Sequence, residues 1–206
     1  MYHLPLIRVL TESGGTWVIY LLLALSVLSL GVIIERIVII FRQARYQKET
    51  LPKLDAKLQP AHLDALPGSL KQDSVLYPIL ADLLKHGTKG KAVLDERLET
   101  QISLQKRRLE RNMVLIGTLG NNAPFIGLLG TVLGVIHAFQ SLSQAAGQGP
   151  EVVMAGLAEA LVATAVGIMV ALPCVAAYNF IQRRIKDLLI DADHFGKQFI
   201  AVLVER

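Results

Sequence analysis

Charge is missing from three long stretches of this chain, and no other feature of the sequence restricts its fold so strongly. Ser13–Ile34 has no charged residue, Asn112–Pro150 has none with His137 neutral, and Val152–Gln182 has only Glu159. A helix needs ~20 mostly apolar residues to cross a bilayer, so each stretch reads as a transmembrane helix. At 52% hydrophobic and 18% charged residues, with a mean hydropathy of +0.46, the chain is too apolar for an ordinary water-soluble domain. The expected class is an all-α integral membrane protein with three spans. The first span is longer than a signal-peptide core and is followed by Glu35–Arg36, so it is expected to persist as an anchor.

The basic residues set the expected orientation. Arg42, Arg45 and Lys48 leave the first span, Lys106, Arg107, Arg108 and Arg111 lead into the second, and Arg183, Arg184 and Lys186 leave the third. Ser141–Pro150 has no basic residue. The positive-inside rule then puts the N-terminus outside and the C-terminus in the cytoplasm. The expected segments are an outer tail (1–12), the first span (13–41), a cytoplasmic helical loop (42–111), the second span (112–141), an outer connector (142–150), the third span (151–182) and a cytoplasmic amphipathic helix (183–206). Because the cations flank spans, the net charge of +4 argues for a bilayer and against nucleic acid. Cys174 is alone, so an intramolecular disulfide is not possible. No His, Cys, Asp or Glu cluster has metal-ligand spacing and no phosphate loop occurs, so neither metal nor cofactor is expected and an enzyme has little support.

Within the loop, Pro52, Pro60, Pro67–Gly68 and Pro78 are expected to break the first half into short pieces. Tyr77–His86 reads as a short helix stopped by Gly87. Neither Gly nor Pro occurs from Lys91 to Ile116, which predicts a helix running without interruption into the second span. The third span likewise has no clear stop after Pro173. Ile185, Leu188, Leu189, Ala192, Phe195, Phe199 and Leu203 continue an apolar stripe. Outside lipid that stripe needs a partner. The favoured partner is the same helix in neighbouring subunits, and the alternative is the chain's own loop helices.

The later spans are rich in small residues. Gly120, Gly127 and Gly134 recur every seven positions, as do Gly117, Pro124, Thr131 and Ala138, with Gly130 between them. In the third span Ala155, Glu159, Ala163, Gly167 and Ala171 step by four, as do Gly156, Ala160 and Thr164. Such stripes let helix backbones approach closely in lipid. They suit tight helix packing, and equally a narrow lumen lined by several copies of these two spans. Pro124 should free the Gly120 carbonyl, which Asn121 or Asn122 is placed to satisfy. A carboxylate deep in lipid costs at least ~2.5–3.5 kcal/mol, which makes Glu159 a functional candidate. Thr131 and Thr164 put hydroxyls in apolar surroundings, although threonine also bonds to its own helix carbonyls. Glu159 and Thr164 lie ~140° apart around a helix and do not share a face. His137, with an unperturbed pKa near ~6.5, is a further pathway candidate or an ordinary interfacial side chain.

The runs APFIGLLGTVLGVIHAF (123–139) and GLAEALVATAVGIMVALP (156–173), with Tyr178–Asn179 following, resemble the second- and third-span signatures of the ExbB/TolQ/MotA proton-channel family. The resemblance implies a homo-oligomeric ring, pentameric in the best-known members, around the single-span helices of an ExbD- or TolR-type partner. That partner carries an essential Asp in the bacterial inner membrane, and protons passing it drive motion of ring against axle. The work is passed across the periplasm through a TonB- or TolA-type transducer. Thr131 and Thr164 match the family's pore threonines, and Glu159 matches its third-span glutamate. Gly120, Gly127, Gly130, Gly134, Pro124, Gly156, Gly167 and Pro173 fall to helix packing. Three spans fit the ExbB and TolQ branches better than the four-span MotA branch, and gliding-motor relatives share the core. The first expectation is an ExbB-like energiser of outer-membrane uptake, with a TolQ-like subunit as the alternative. The rival from another class is a non-conducting scaffold for a partner helix.

Overall fold

The computed structural model describes residues 14–144 and 150–206, and within them the chain is helical with no strand. Helix α1 (Thr16–Asp55) is followed by 3-10 turns at Leu63–Ala65 and Pro67–Ser69, then α2 (Leu76–Lys85), α3 (Lys91–Leu109), α4 (Met113–Gln144) and α5 (Pro150–Val204). Helices α1, α4 and α5 are long and apolar enough to cross a membrane. The tail (1–12), Ser13 of the first span and residues 145–149 of the connector fall outside the described residues.

The chain forms two compact units. The first combines the chain up to Ile34 with Asn112–Tyr178. Its core is Val18, Leu22, Ala123, Leu133, Val170 and Ala171, flanked by Trp17, Ile126 and Val166. Its outside is also apolar, with Val27 73%, Phe125 68%, Met169 70% and Leu172 66% exposed. An inside-and-outside apolar unit is what a hydrocarbon surrounding demands.

The second unit combines Glu35–Arg111 with Asn179–Arg206. Leu76, Ile79, Leu80 and Leu83 of α2 and Leu94 and Leu98 of α3 are buried, at i, i+3 and i+4 spacings that put each set on one face. The α5 stripe Ile185, Leu188, Leu189, Ala192, Phe195, Phe199 and Leu203 is buried in this unit. A methyl added at Gly196 would lie 2.5 Å from Leu98 Cδ1, and one at Gly87 would lie 3.3 Å from Leu203. Gln47, also buried, donates from Nε2 to the Leu188 carbonyl at 2.9 Å. The stripe is thus covered by the chain's own loop helices, and the expected packing on neighbouring subunits is corrected to the alternative.

Two other expectations are corrected. The helix from Lys91 does not run into the second span: α3 ends at Leu109, α4 starts at Met113, and Asn112 between them has φ 62. Asparagine tolerates the left-handed region that other side chains avoid, so it stops a helix without Gly or Pro. Pro52 does not break the first helix, which runs on to Asp55. It sits in the last turn, so the lost N–H bond to the Lys48 carbonyl loosens only the end of the helix.

Arg206 makes a two-pronged contact with Asp64, at 2.9 and 2.8 Å. The guanidinium hydrogen bond holds the Asp64 carboxyl below its ordinary value of 3.8. A depressed carboxyl stabilises the fold above its unfolded value, and that contribution is lost as pH falls through the folded value. Amide exchange near Leu203–Glu205 should therefore quicken below that pH in the wild type, and Asp64→Asn should show the fast exchange at every pH. Phe199 is fully buried, so Phe199→Ala should cost about 3–5 kcal/mol in a denaturation series.

Candidate ion-pathway site at the α4–α5 contact

Helices α4 and α5 meet where neither has a side chain. A methyl at Gly127 would lie 2.7 Å from the Ala163 carbonyl oxygen and 3.1 Å from the Gly167 Cα, and one at Gly167 would lie 2.6 Å from the Ala123 carbonyl oxygen. Backbone atoms cannot swing aside as side chains do, so only glycine fits there. The same contact extends in both directions. Gly134 faces Ala160 and Gly156 faces Ala138, each 2.7 Å from the partner Cβ if a methyl were added, and Gly120 faces Val175. Gly130 is shared between Ala163 of α5 and Val18 of α1. Higher up, the ring of Tyr178 covers Gly117. The glycines of these stripes thus have close neighbours within the one chain.

This close approach brings the two threonines together. Thr131 Oγ1 and Thr164 Oγ1 are hydrogen-bonded to each other. Thr131 Oγ1 also lies 3.2 Å from the Ala160 carbonyl oxygen and 3.3 Å from the Gly127 carbonyl oxygen. Both residues are half-buried. One hydroxyl thus has two backbone acceptors and a second hydroxyl in reach, in a wall of Gly and Ala. Rotation about one Cβ–Oγ bond redirects its proton with no backbone movement.

Glu159 is elsewhere. It is exposed and accepts a hydrogen bond from Thr16 Oγ1 at 2.9 Å, so it faces α1. Its ~140° offset from Thr164 explains why one carboxylate and one hydroxyl on the same helix serve different neighbours. His137 is exposed, with its ring 3.6–3.9 Å from where a Gly14 methyl would stand. Pro124 is half-buried and Pro173 exposed, each inside a continuous helix. Asn122 donates from Nδ2 to the Thr118 carbonyl at 2.9 Å, not to the Gly120 carbonyl that Pro124 frees, so the Asn122 half of that expectation is corrected. Among the described residues no group of His, Cys, Asp and Glu is placed to hold a metal.

Sequence reasoning missed the Gly14–Gly15–Thr16 corner. Gly14 has φ +65, and a methyl on Gly15 would lie 2.4 Å from the Gly130 carbonyl oxygen. Two glycines let the chain turn and seat α1 on α4, which places Thr16 against Glu159. Gly-Gly-Thr before an apolar run is a legible helix start, but its distant partner is not legible.

Fold and site together define a multi-pass membrane protein with a pair of hydroxyls set into one tight helix contact. The profile of the MotA/TolQ/ExbB proton channel family matches residues 71–193. The chain is 32% identical over 202 residues to the Tol-Pal system protein TolQ of Haemophilus influenzae, covering 90% of this chain and 87% of that one. It is 32% identical over 202 residues to the biopolymer transport protein ExbB of Neisseria meningitidis serogroup A, covering 91% and 92%. It is 39% identical over 100 residues to a putative biopolymer transport protein ExbB-like 2 of Helicobacter pylori, covering 48% and 63%. The chain belongs to the MotA/TolQ/ExbB proton channel family and is a multi-pass inner-membrane protein.

Gly127→Ala or Gly167→Ala should each destabilise the α4–α5 contact by about 1–3 kcal/mol, read from unfolding in detergent. Gly31→Ala, which meets nothing within 4 Å, should be neutral or stabilising by up to about 1 kcal/mol.

Proposed function

We propose that this chain is the ring-forming subunit of an ExbB-like motor that draws on the proton-motive force. Copies of the chain, five by family resemblance, surround the single-span helices of an ExbD- or TolR-type partner, with the N-terminus in the periplasm and the C-terminus in the cytoplasm. The motor energises a TonB-type transducer for outer-membrane uptake. The observation that carries this reading is the half-buried Thr131–Thr164 hydroxyl pair.

A partner carboxyl brought beside that pair meets groups that donate to its charged form and accept from its protonated form. The surrounding Gly and Ala leave it poorly solvated, which favours protonation until a hydroxyl turns toward it. Each proton driven by the membrane potential supplies ~2.3 kcal/mol per 100 mV. That is larger than the ~0.5–1.5 kcal/mol net worth of one hydrogen bond, so a proton can step the axle past one threonine pair. Glu159, bonded to Thr16 on the side away from the pair, supports the outer mouth of the path or the junction between subunits, and His137 is a further pathway candidate. The exposed face of α5 with Ala155, Ala158, Ala165 and Ala176 offers small residues to a neighbouring subunit or an axle helix.

A second reading, a TolQ-like subunit acting through a TolA-type transducer, is favoured by the equal 32% identity to TolQ and by His137 in the Ile136–Phe139 segment. Both readings share the same ion step.

Thr131→Val with Thr164→Val keeps the side-chain shape and removes both hydroxyls. The double variant should assemble with its partner and lose work dependent on the proton-motive force by at least about tenfold, measured as energised uptake or envelope integrity in cells. Undiminished work would favour a non-conducting scaffold. In mild detergent the protein should have a mass several times the 22.5 kDa chain, and a monomeric mass would contradict the ring.

A further inference from the structure

The second unit contains a small polar pocket that the ion step does not use. It has a volume of about 210 Å³ and is lined by Arg42, Gln43, Arg45, Tyr46, Glu49, Lys71, Asp73 and Ser74. Its far wall, the 71–74 segment, is fastened to the rest of the unit. The Lys71 backbone N–H donates to Tyr46 Oη at 2.9 Å, and Gln43 Nε2 donates to the Asp73 carbonyl at 2.8 Å. Arg108 donates to the same carbonyl at 3.2 Å and pairs with the Asp73 carboxylate. Ser74 is buried, its Oγ accepting from the Tyr77 N–H at 3.2 Å.

The charges in the pocket do not cancel. Glu49 is paired with Arg45 at 3.0 Å and Asp73 with Arg108. Arg42 and Lys71 line the same cavity, and among the described residues neither enters an ion pair. Lys71 Nζ rests over the Tyr46 ring, 5.0 Å from its centre, which holds the ammonium in place without neutralising it. A lysine held by a phenol ring, an arginine lining the same cavity and neutralised acids make an anion site, and the volume suits a phosphate with a small substituent.

The position along α1 identifies the source of that phosphate. Val38 and Phe41 are 57% and 49% exposed, whereas the preceding cation, Arg36, is 5% exposed and bonded to Glu35. Past Glu35, which is exposed and paired with the buried Arg36, apolar surface resumes at Val38 and Phe41, and Arg42 is the first exposed cation of α1. On a membrane-spanning helix that is the headgroup level, where exposed cations meet acidic lipid.

We propose that Arg42 and Lys71 bind the phosphate of an acidic phospholipid of the leaflet facing this unit, with its acyl chains lying along the Val38–Phe41 face. The site fixes the 71–74 segment to the membrane surface while the first unit handles ions.

The full chain, purified in mild detergent, can be loaded with dioleoyl phosphatidylglycerol or dioleoyl phosphatidylcholine and the retained lipid counted by native mass spectrometry. Phosphatidylglycerol should be retained in preference. Arg42→Gln with Lys71→Gln should lower its affinity about thirtyfold, from roughly fivefold per cation. Lys71→Arg should keep it, and Lys91→Gln, an exposed cation on α3, should leave it unchanged. Equal retention of the two lipids, or a double variant that holds phosphatidylglycerol as the wild type does, would overturn the proposal. Displacement of the lipid by millimolar inorganic phosphate would reassign the site to the free anion.

Discussion

Everything in the membrane part of this chain depends on two helices touching backbone to backbone at Gly127 and Gly167. In lipid no hydrophobic force draws helices together, and association rests on van der Waals contact and hydrogen bonds between them. Removing the side chains at the crossing supplies that contact and brings Thr131 within hydrogen-bond reach of Thr164 and of the Ala160 carbonyl. A bulkier pair at the crossing would hold the hydroxyls apart, and each would fall back on its own helix carbonyl. The packing that stabilises the fold is thus the same packing that builds the candidate site.

The two units divide the work by chemistry. The first is apolar inside and out, with the bonded threonine pair at its tight helix contact and Glu159 held by Thr16. The second is built like a water-soluble bundle, with leucines of α2 and α3 buried and ion pairs on its surface. Because α1 and α5 are each one helix contributing to both units, neither unit is a separable attachment.

The sequence was most legible where a rule has a single outcome. Uncharged runs of this length have few alternatives to spanning helices, and the paired signatures around Thr131 and Thr164 pointed to one family. It was less legible where the outcome depends on a distant partner. The stripe from Ile185 to Leu203 announced a buried face, but not that Gln47, Gly87 and Leu98 of the same chain would lie against it. The break before α4 was hidden because Asn112, unlike Gly or Pro, is not a strong punctuation signal, yet it adopts φ 62. Thr16 was invisible as a site residue because its partner Glu159 lies 143 positions away. For the same reason the glycines were open to two readings, and the close contacts of Gly127 with Ala163, Thr164 and Gly167 could not be read from spacing.

In the proposed motor, hydroxyls, and not the shape of the threonine side chains, carry the ion step. Thr131→Ser with Thr164→Ser separates the two, since it keeps both hydroxyls and removes both methyls. Proton flux should be measured with a pH-sensitive dye in proteoliposomes holding the chain and its single-span partner under an imposed potential. Flux for the serine pair should stay within about threefold of wild type, a cost of less than ~0.7 kcal/mol in barrier height. Flux as low as that of the corresponding valine pair, in an assembled complex, would contradict the hydroxyl role.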